Sequence, residues 1–262
     1  MYAFDIERPT TVADAVAALG DEDAQALGGG QTLIPTLKQR LAAPSKLVSL
    51  GAISDMQGVT SEGGNIRIGG GTTHATVADQ VAGTYPALAD LASHIGDPAV
   101  RNRGTIGGSL ANNDPSACYP AAALGSGATI ITNSREIAAD EYFQGMFTTA
   151  LGEDEIVTAV SFPVPEKANY QKFVQPASRF ALVGVFVAKY ADGVRVAVTG
   201  ASDDGVYRWT EAEAALSANF NADALANLSV SDANMIGDMH GTPTYRAHLV
   251  KVITGRAVTA AA

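Results

Sequence analysis

Apolar and polar positions change rhythm several times along the chain, and each change predicts an element. Val12, Ala15, Val16 and Leu19 recur at helical spacing behind Thr10-Thr11, whose hydroxyls can cap a first turn, and Gly20 ends the run. A short strand over residues 24–27 leads into Gly28-Gly29-Gly30-Gln31-Thr32. The helix expected next, LIPTLKQRLA, carries Leu33, Leu37 and Leu41 on one side. Pro35 falls in its first turn, where a missing N–H costs little, and Pro44 breaks it. Residues 46–50 and 65–69 read as strands, the second alternating apolar and polar. Gly69-Gly70-Gly71-Thr72-Thr73-His74 follows as another glycine-rich element. Thr76 is expected to cap residues 77–81, and residues 86–95 to form a helix ending at Gly96.

The periodicity then stops. Residues 101–120, RNRGTIGGSLANNDPSACYP, hold few apolar anchors and are dense in Gly, Asn, Ser, Thr and Asp. They read as one long loop, and a loop of that length in a compact domain is usually functional. Beyond it, residues 127–132 and 155–162 read as strands. Residues 180–190 and 194–200 form a hairpin around Ala191-Asp192-Gly193. Residues 211–220, 222–228 and 245–258 are predicted helices, with 259–262 a frayed tail. Pro163, Pro165 and the polar run 166–169 mark a domain boundary. Mixed elements followed by strands and then helices give an α+β pattern, with domains at 1–165 and 166–262.

Composition narrows the function. The chain has 262 residues, 47% hydrophobic and 17% charged, as an ordinary globular protein does. A net charge of −10 argues against general nucleic-acid binding and against an anionic membrane surface. The longest apolar run, residues 180–188, is far short of a transmembrane span, and the N-terminus does not read as a signal peptide, so a cytoplasmic location is expected. A single cysteine, Cys118, leaves no partner for a disulfide and cannot by itself hold an iron–sulfur cluster.

The common catalytic patterns are missing. The sequence holds no GxGxxG, no Walker-type phosphate loop and no GxSxG, and its four histidines lack metal-ligand spacing. What remains is three glycine-rich loops, at 28–32, 69–73 and 105–109, rich in hydroxyls and amides. Each could simply turn the chain between elements. Together they suit a large, extended, anionic ligand, because glycine lets a backbone approach closely and free amides bind phosphate oxygens. A flavin adenine dinucleotide fits, and it brings its own redox chemistry.

The sequences GGGQTLIP (28–35) and IGDPAVRNRGTIGGSLANNDP (95–115) closely resemble the two FAD signatures of the medium subunit of molybdenum hydroxylases, the family of aerobic carbon monoxide dehydrogenases and xanthine dehydrogenases. Residues 172–185 and 244–257 extend the resemblance over essentially the whole chain. It implies a two-lobed FAD-binding domain of the vanillyl-alcohol-oxidase (PCMH) type, lobes about 1–54 and 55–165, followed by a smaller α+β domain. It assigns Gly28, Gly29, Gly30, Gln31, Thr32 and Leu33 to the first cofactor loop, with Leu27 leading into it. Thr105, Gly107, Gly108 and Ser109 form the second, and Gly107→Val is expected to press on the pyrophosphate and abolish FAD retention. Ile95 and Gly96 match positions near the adenine, and Asp114, Ile156 and Val157 positions close to the cofactor. Cys118 stands where relatives often carry an acid that binds a cofactor hydroxyl, and a thiol is a poor acceptor.

The implied role is electron transfer. A large subunit would hold the molybdenum cofactor and a small one two [2Fe–2S] clusters, in a dimer of heterotrimers. Electrons would pass through FAD in this chain to an external acceptor. Two other readings use the same loops: a free-standing FAD oxidoreductase of the same fold, and a non-catalytic nucleotide-binding module.

Overall fold

The structure, a computed structural model, describes residues 1–176 and 178–261. The first lobe is built from β1 (Asp5–Glu7), α1 (Val12–Leu19), β2 (Ala24–Leu27), α2 (Leu33–Lys38) and β3 (Lys46–Ser49). Its strands are parallel in the order β1-β3-β2, which requires crossovers, and the helices supply them. Thr11 caps α1 by accepting from the Asp14 amide. Ala15 and Ala18 of α1 then pack on Val48, Leu50 and Ile53. The helix expected to reach residue 42 ends at Lys38, where Arg40 turns left-handed and Leu41 is left 74% exposed.

The second lobe runs β4 (Val59–Glu62), β5 (Asn65–Gly69), α3 (His74–Gln80), α4 (Pro86–Ser93), α5 (Pro98–Arg101), α6 (Ile106–Asn112), α7 (Cys118–Ser126), β6 (Thr129–Thr132), β7 (Glu136–Ala138), α8 (Ala139–Tyr142), β8 (Phe143–Gly145), β9 (Thr148–Thr149) and β10 (Val157–Pro163). Its antiparallel sheet has the order β4-β5-β10-β6-β7, so the last strand inserts at the centre. Helices α3, α4, α6 and α7 share one core with this sheet.

The expected long loop at 101–120 is largely helical. Thr105 caps α6 by accepting from the Gly108 amide, and Asn113 ends it in the left-handed conformation. The Asn113 side chain donates to the carbonyls of Gly145 and Thr148, which ties this corner to the β8–β9 hairpin. Every residue of α7 is buried, so no polar stripe betrays it as a helix. The cap of α3 is Thr73, not Thr76: Thr73 Oγ1 accepts from the Thr76 amide.

Four antiparallel strands follow in sequence order, β11 (Lys167–Val174), β12 (Ala181–Tyr190), β13 (Gly193–Ser202) and β14 (Gly205–Arg208). Within the polar run 166–169 expected as a domain boundary, Lys167 opens β11. One sheet face meets α9 (Thr210–Ala218) and α10 (Pro243–Ala261) through Val183, Val185 and Val187. The other presents Phe186, Ala188 and Ala197 to the core of the second lobe. Cover on both faces is why β12 reads as an uninterrupted apolar run. Residues 222–228 hold only a 3₁₀ turn, Ala222–Leu225, and α10 continues through the expected tail to Ala261; Ala262 lies outside the described residues. Among the described residues no helix is long and apolar enough to cross a membrane.

Phe186 is the largest apolar side chain that β12 turns toward the second lobe, and it is edge-on to Tyr85 at 6.1 Å. Phe186→Ala is expected to lower unfolding free energy by about 3–5 kcal/mol. Urea unfolding checks this, and an unchanged midpoint would contradict the packing described.

Candidate functional site: a glycine cradle between the lobes

The three glycine loops converge on one cavity of about 380 Å³ at the seam of the two lobes. The first loop follows β2, the second leads into α6 and the third follows β5. The second and third are stitched together by backbone: the His74 amide donates to Gly104 O (2.9 Å), Ile106 to Thr72 O (3.1 Å) and Gly107 to Gly70 O (2.9 Å). Among the described residues the first loop joins them without hydrogen bonds, by close approach. A Cβ on Gly29 would overlap the carbonyl of Arg103, and one on Gly70 the carbonyl of Val157. A Cβ on Gly107 would lie 2.6 Å from Gly70 O. The glycine at 107 therefore answers first to the facing protein backbone, a different reason from the expected pressure on a pyrophosphate.

Gly28, Gly29, Thr105, Gly107, Gly108, Ile156 and Val157 line the cavity, and the structure brings these expected residues together. Ile156 also joins the core of the first lobe. The others stand around it. Gly30 turns at φ +72° beneath Leu27, Gln31 folds its side chain back toward Gly29 O, and Thr32 and Leu33 start α2. Among the described residues, the amides of Gly29, Gly30, Gln31, Thr32 and Leu33 have no acceptor. Ser109 lies inside α6, its amide bonded to Thr105 O. The carbonyls of Ile95 and Gly96 both accept from Arg101, and Asp114 turns the chain toward α7 by accepting from the Ser116 amide. Cys118 does not line the cavity; it opens α7 beneath Lys172 of β11.

Sequence reasoning left several lining residues unassigned. Gly70, Gly71 and Thr73 belong to the third loop, which the glycine pattern grouped with the other two around one ligand but to which the resemblance assigned no cofactor-binding residue. Arg103 and Glu155 are the ionisable residues of the lining. Glu155 is held by Arg135 through paired 2.9 Å hydrogen bonds, and this guanidinium, with help from the Gly152 amide and the Thr132 and Ser134 hydroxyls, keeps its carboxyl far below the usual range. Arg103 has no such ion pair among the described residues, and it meets Gly29 through its backbone carbonyl. The adjacency of Arg103 to Gly104-Thr105, and of Glu155 to Ile156, was the available signal.

His74 sits behind the second loop, 5% exposed and near the Tyr119 ring, with Nδ1 unpartnered. It is a packed residue, and among the described residues no cluster of ligating side chains could hold a metal.

Comparisons with known proteins show the family and the fold. Residues 2–165 match the family of the FAD binding domain in molybdopterin dehydrogenase. The nicotine 6-hydroxylase medium subunit of Paenarthrobacter nicotinovorans is 34% identical over 270 residues, spanning 97% of this chain and 95% of that one. The carbon monoxide dehydrogenase medium chain of Afipia carboxidovorans is 39% identical over 202 residues, 73% of this chain and 70% of that one. Among solved structures, reconstituted CO dehydrogenase from Oligotropha carboxidovorans superposes with a TM-score of 0.91 at 32% identity, covering 99% of this chain and 98% of that one. The chain belongs to the FAD-binding domain family of the molybdopterin dehydrogenases. It is an FAD-binding medium subunit of the molybdenum hydroxylase type, an oxidoreductase component.

Two tests follow from the cradle. Gly29→Ala, one added methyl, is expected to force the first loop off Arg103 and yield protein with little bound flavin, as read by absorbance after gel filtration; stoichiometric flavin would contradict the close approach. The second concerns pH. Burial, with the nearby Arg101 charge, lowers the His74 pKa from 6.5 to about 4. The unfolded chain binds a proton that the folded chain refuses, so this contribution is complete above pH 6.5 and is lost as pH falls toward 4. The expected loss is about 3 kcal/mol. Urea unfolding of the protein and of His74→Gln should diverge across that window, and parallel curves would refute the assignment.

Proposed function

We propose that this chain is the FAD-carrying electron-transfer subunit of a heterotrimeric molybdenum hydroxylase, most similar in type to the medium subunit of carbon monoxide dehydrogenase. The observation that carries the reading is the glycine cradle, in which three loops meet backbone to backbone and leave a run of acceptor-free amides at the lobe seam. A Cβ at Gly28 or Gly108 would lie 3.0 Å from the Thr105 hydroxyl, and the open amides beside it form a donor set that fits an extended phosphate-bearing cofactor. When bound, the flavin supplies the redox chemistry that takes electrons from partner iron–sulfur clusters and yields them to an external acceptor.

The chain's own residues bind and orient. The open amides of residues 29–33 and the Thr105 loop would take the phosphate-bearing part, with Arg103 countering its charge. Ile156 and Val157 present an apolar wall that excludes water, and the Glu155–Arg135 pair holds the strand that carries them. No acid–base pair is needed here, and substrate choice falls to another subunit. The lone cysteine fits an assembly in which a small partner subunit would carry the two [2Fe–2S] clusters and a large one would hold the molybdenum cofactor. The assembly is a cytoplasmic dimer of heterotrimers, and within the chain residues 1–165 carry the cofactor while 166–262 form the second domain.

Purification from the native host tests this. The account expects flavin absorption over broad iron–sulfur absorption, with a larger and a smaller chain co-purifying. Flavin on a single chain that bleaches directly with a small substrate would replace it with a free-standing oxidoreductase.

A further inference from the structure

The function above leaves the third glycine loop without a task at the cavity it lines. Its backbone is occupied in holding the segment before β4. The Gly69 amide donates to Gly58 O (3.0 Å), the Gly71 amide to Met56 O (2.8 Å) and the Thr72 hydroxyl to Gly58 O (3.1 Å). These bonds bracket Gln57, whose own amide donates to Ser54 O (3.0 Å). The Gln57 side chain then lies across Gly71, where a Cβ would overlap its carboxamide. Beside it the cavity wall is apolar: Leu50, Met56 and Ile156 pack in one buried cluster, and Val157 is buried next to Ile156. Gln57 itself is exposed, and among the described residues its side chain has no hydrogen-bond partner. Neighbouring polar side chains are committed elsewhere. The Thr105 hydroxyl accepts from the Gly108 amide, Thr73 meets Thr76, and Glu155 is held by Arg135. Asn102, the other carboxamide of the lining, ends α5 next to Arg103, on the Gly29 side. Gln57 thus sets a donor and an acceptor side by side, in one plane, at the margin of an apolar wall. Such a carboxamide complements a flat heteroaromatic ring with a donor next to an acceptor on its edge, as glutamine does with adenine.

We propose that Gln57 is a specificity-determining residue of the cofactor site, its carboxamide pairing with the donor–acceptor edge of a ring of FAD, either the adenine or the pyrimidine side of the flavin. The inference rests on the FAD reading above and deepens it. Open amides at residues 29–33 recognise phosphate oxygens, which are alike in every nucleotide, so they cannot tell one ring from another. Gln57 supplies that discrimination. Gly71 leaves room for its carboxamide, while Gly69 and Thr72 fix the backbone that carries it. Leucine in its place would leave the polar edge of the ring unpaired beside an apolar wall, the kind of mismatch that binding sites penalise most.

The full chain, stripped of flavin, is titrated with FAD by fluorescence quenching, alone and with ADP as competitor, and the midpoint potential of the bound flavin is measured. Gln57→Leu, which removes the hydrogen-bonding atoms at similar size, is expected to weaken FAD binding about tenfold or more. The urea midpoint of the flavin-free chain should stay where it was, because the side chain has no internal partner to lose. If the carboxamide pairs with adenine, ADP competition weakens by the same factor and the potential holds. If it pairs with the flavin, the potential shifts and ADP competes as before. FAD affinity and potential both unchanged in Gln57→Leu would overturn the inference and leave the FAD reading standing. A loss of affinity matched by a lower urea midpoint of the flavin-free chain would also overturn it, since Gln57 would then be structural. An unsubstituted chain that takes up no FAD would overturn both.

Discussion

The structure depends on backbone meeting backbone at the lobe seam. Gly29 lies on the Arg103 carbonyl, Gly70 on that of Val157, and Gly107 on Gly70 itself. No side chain fits between these segments, so the first lobe, the α3–α6 corner and β10 are fixed relative to one another by the absence of Cβ atoms. Van der Waals packing at such distances is unforgiving, because a methyl group cannot be absorbed by rotamer change when both neighbours are main chain. The same closeness leaves the amides of residues 29–33 without internal acceptors, and so leaves them available to a ligand.

The rest of the molecule holds that seam in place. The strand that carries Ile156 and Val157 to the cavity is clamped at its start by Glu155, bound to Arg135, and by Asn133, whose side chain accepts from the Ile156 amide. Behind the second loop, α7 is buried on every side because the C-terminal sheet covers what the second lobe does not. Charged groups cross the same interface: Arg195 of β13 and Arg208 of β14 both bind Asp140 of α8. The C-terminal domain thus buttresses the helix that follows the glycine-rich loops.

Much of this was legible in the sequence, for physical reasons that differ by element. The β12–β13 hairpin could be read because burial on both faces writes an unbroken apolar run with a turn between. The first glycine loop could be read because a glycine run feeding a helix start presents free amides to an anion, although a plain turn writes the same residues. The second could be recognised as a cofactor motif yet not as a helix. Its glycines and polar residues hide the α6 periodicity, and the stabilising contacts, Thr105 on Gly108 and Asn113 on Gly145 and Thr148, are either a cap or distant in sequence. Arg103 and Glu155 escaped because what places them at the cavity is the fold of their neighbours, not a pattern of their own. The placement of Cys118 beside Lys172 was beyond reach, since the two are 54 residues apart and meet only when the domains pack.

The central claim is that this chain holds FAD on the acceptor-free amides at the lobe seam. Amide hydrogen exchange, with and without bound FAD, tests it most directly. The account predicts that FAD slows exchange at residues 29–33 and in the Thr105 loop while β12, already buried on both faces, is unchanged. Flavin bound at full occupancy with residues 29–33 exchanging as before would contradict it.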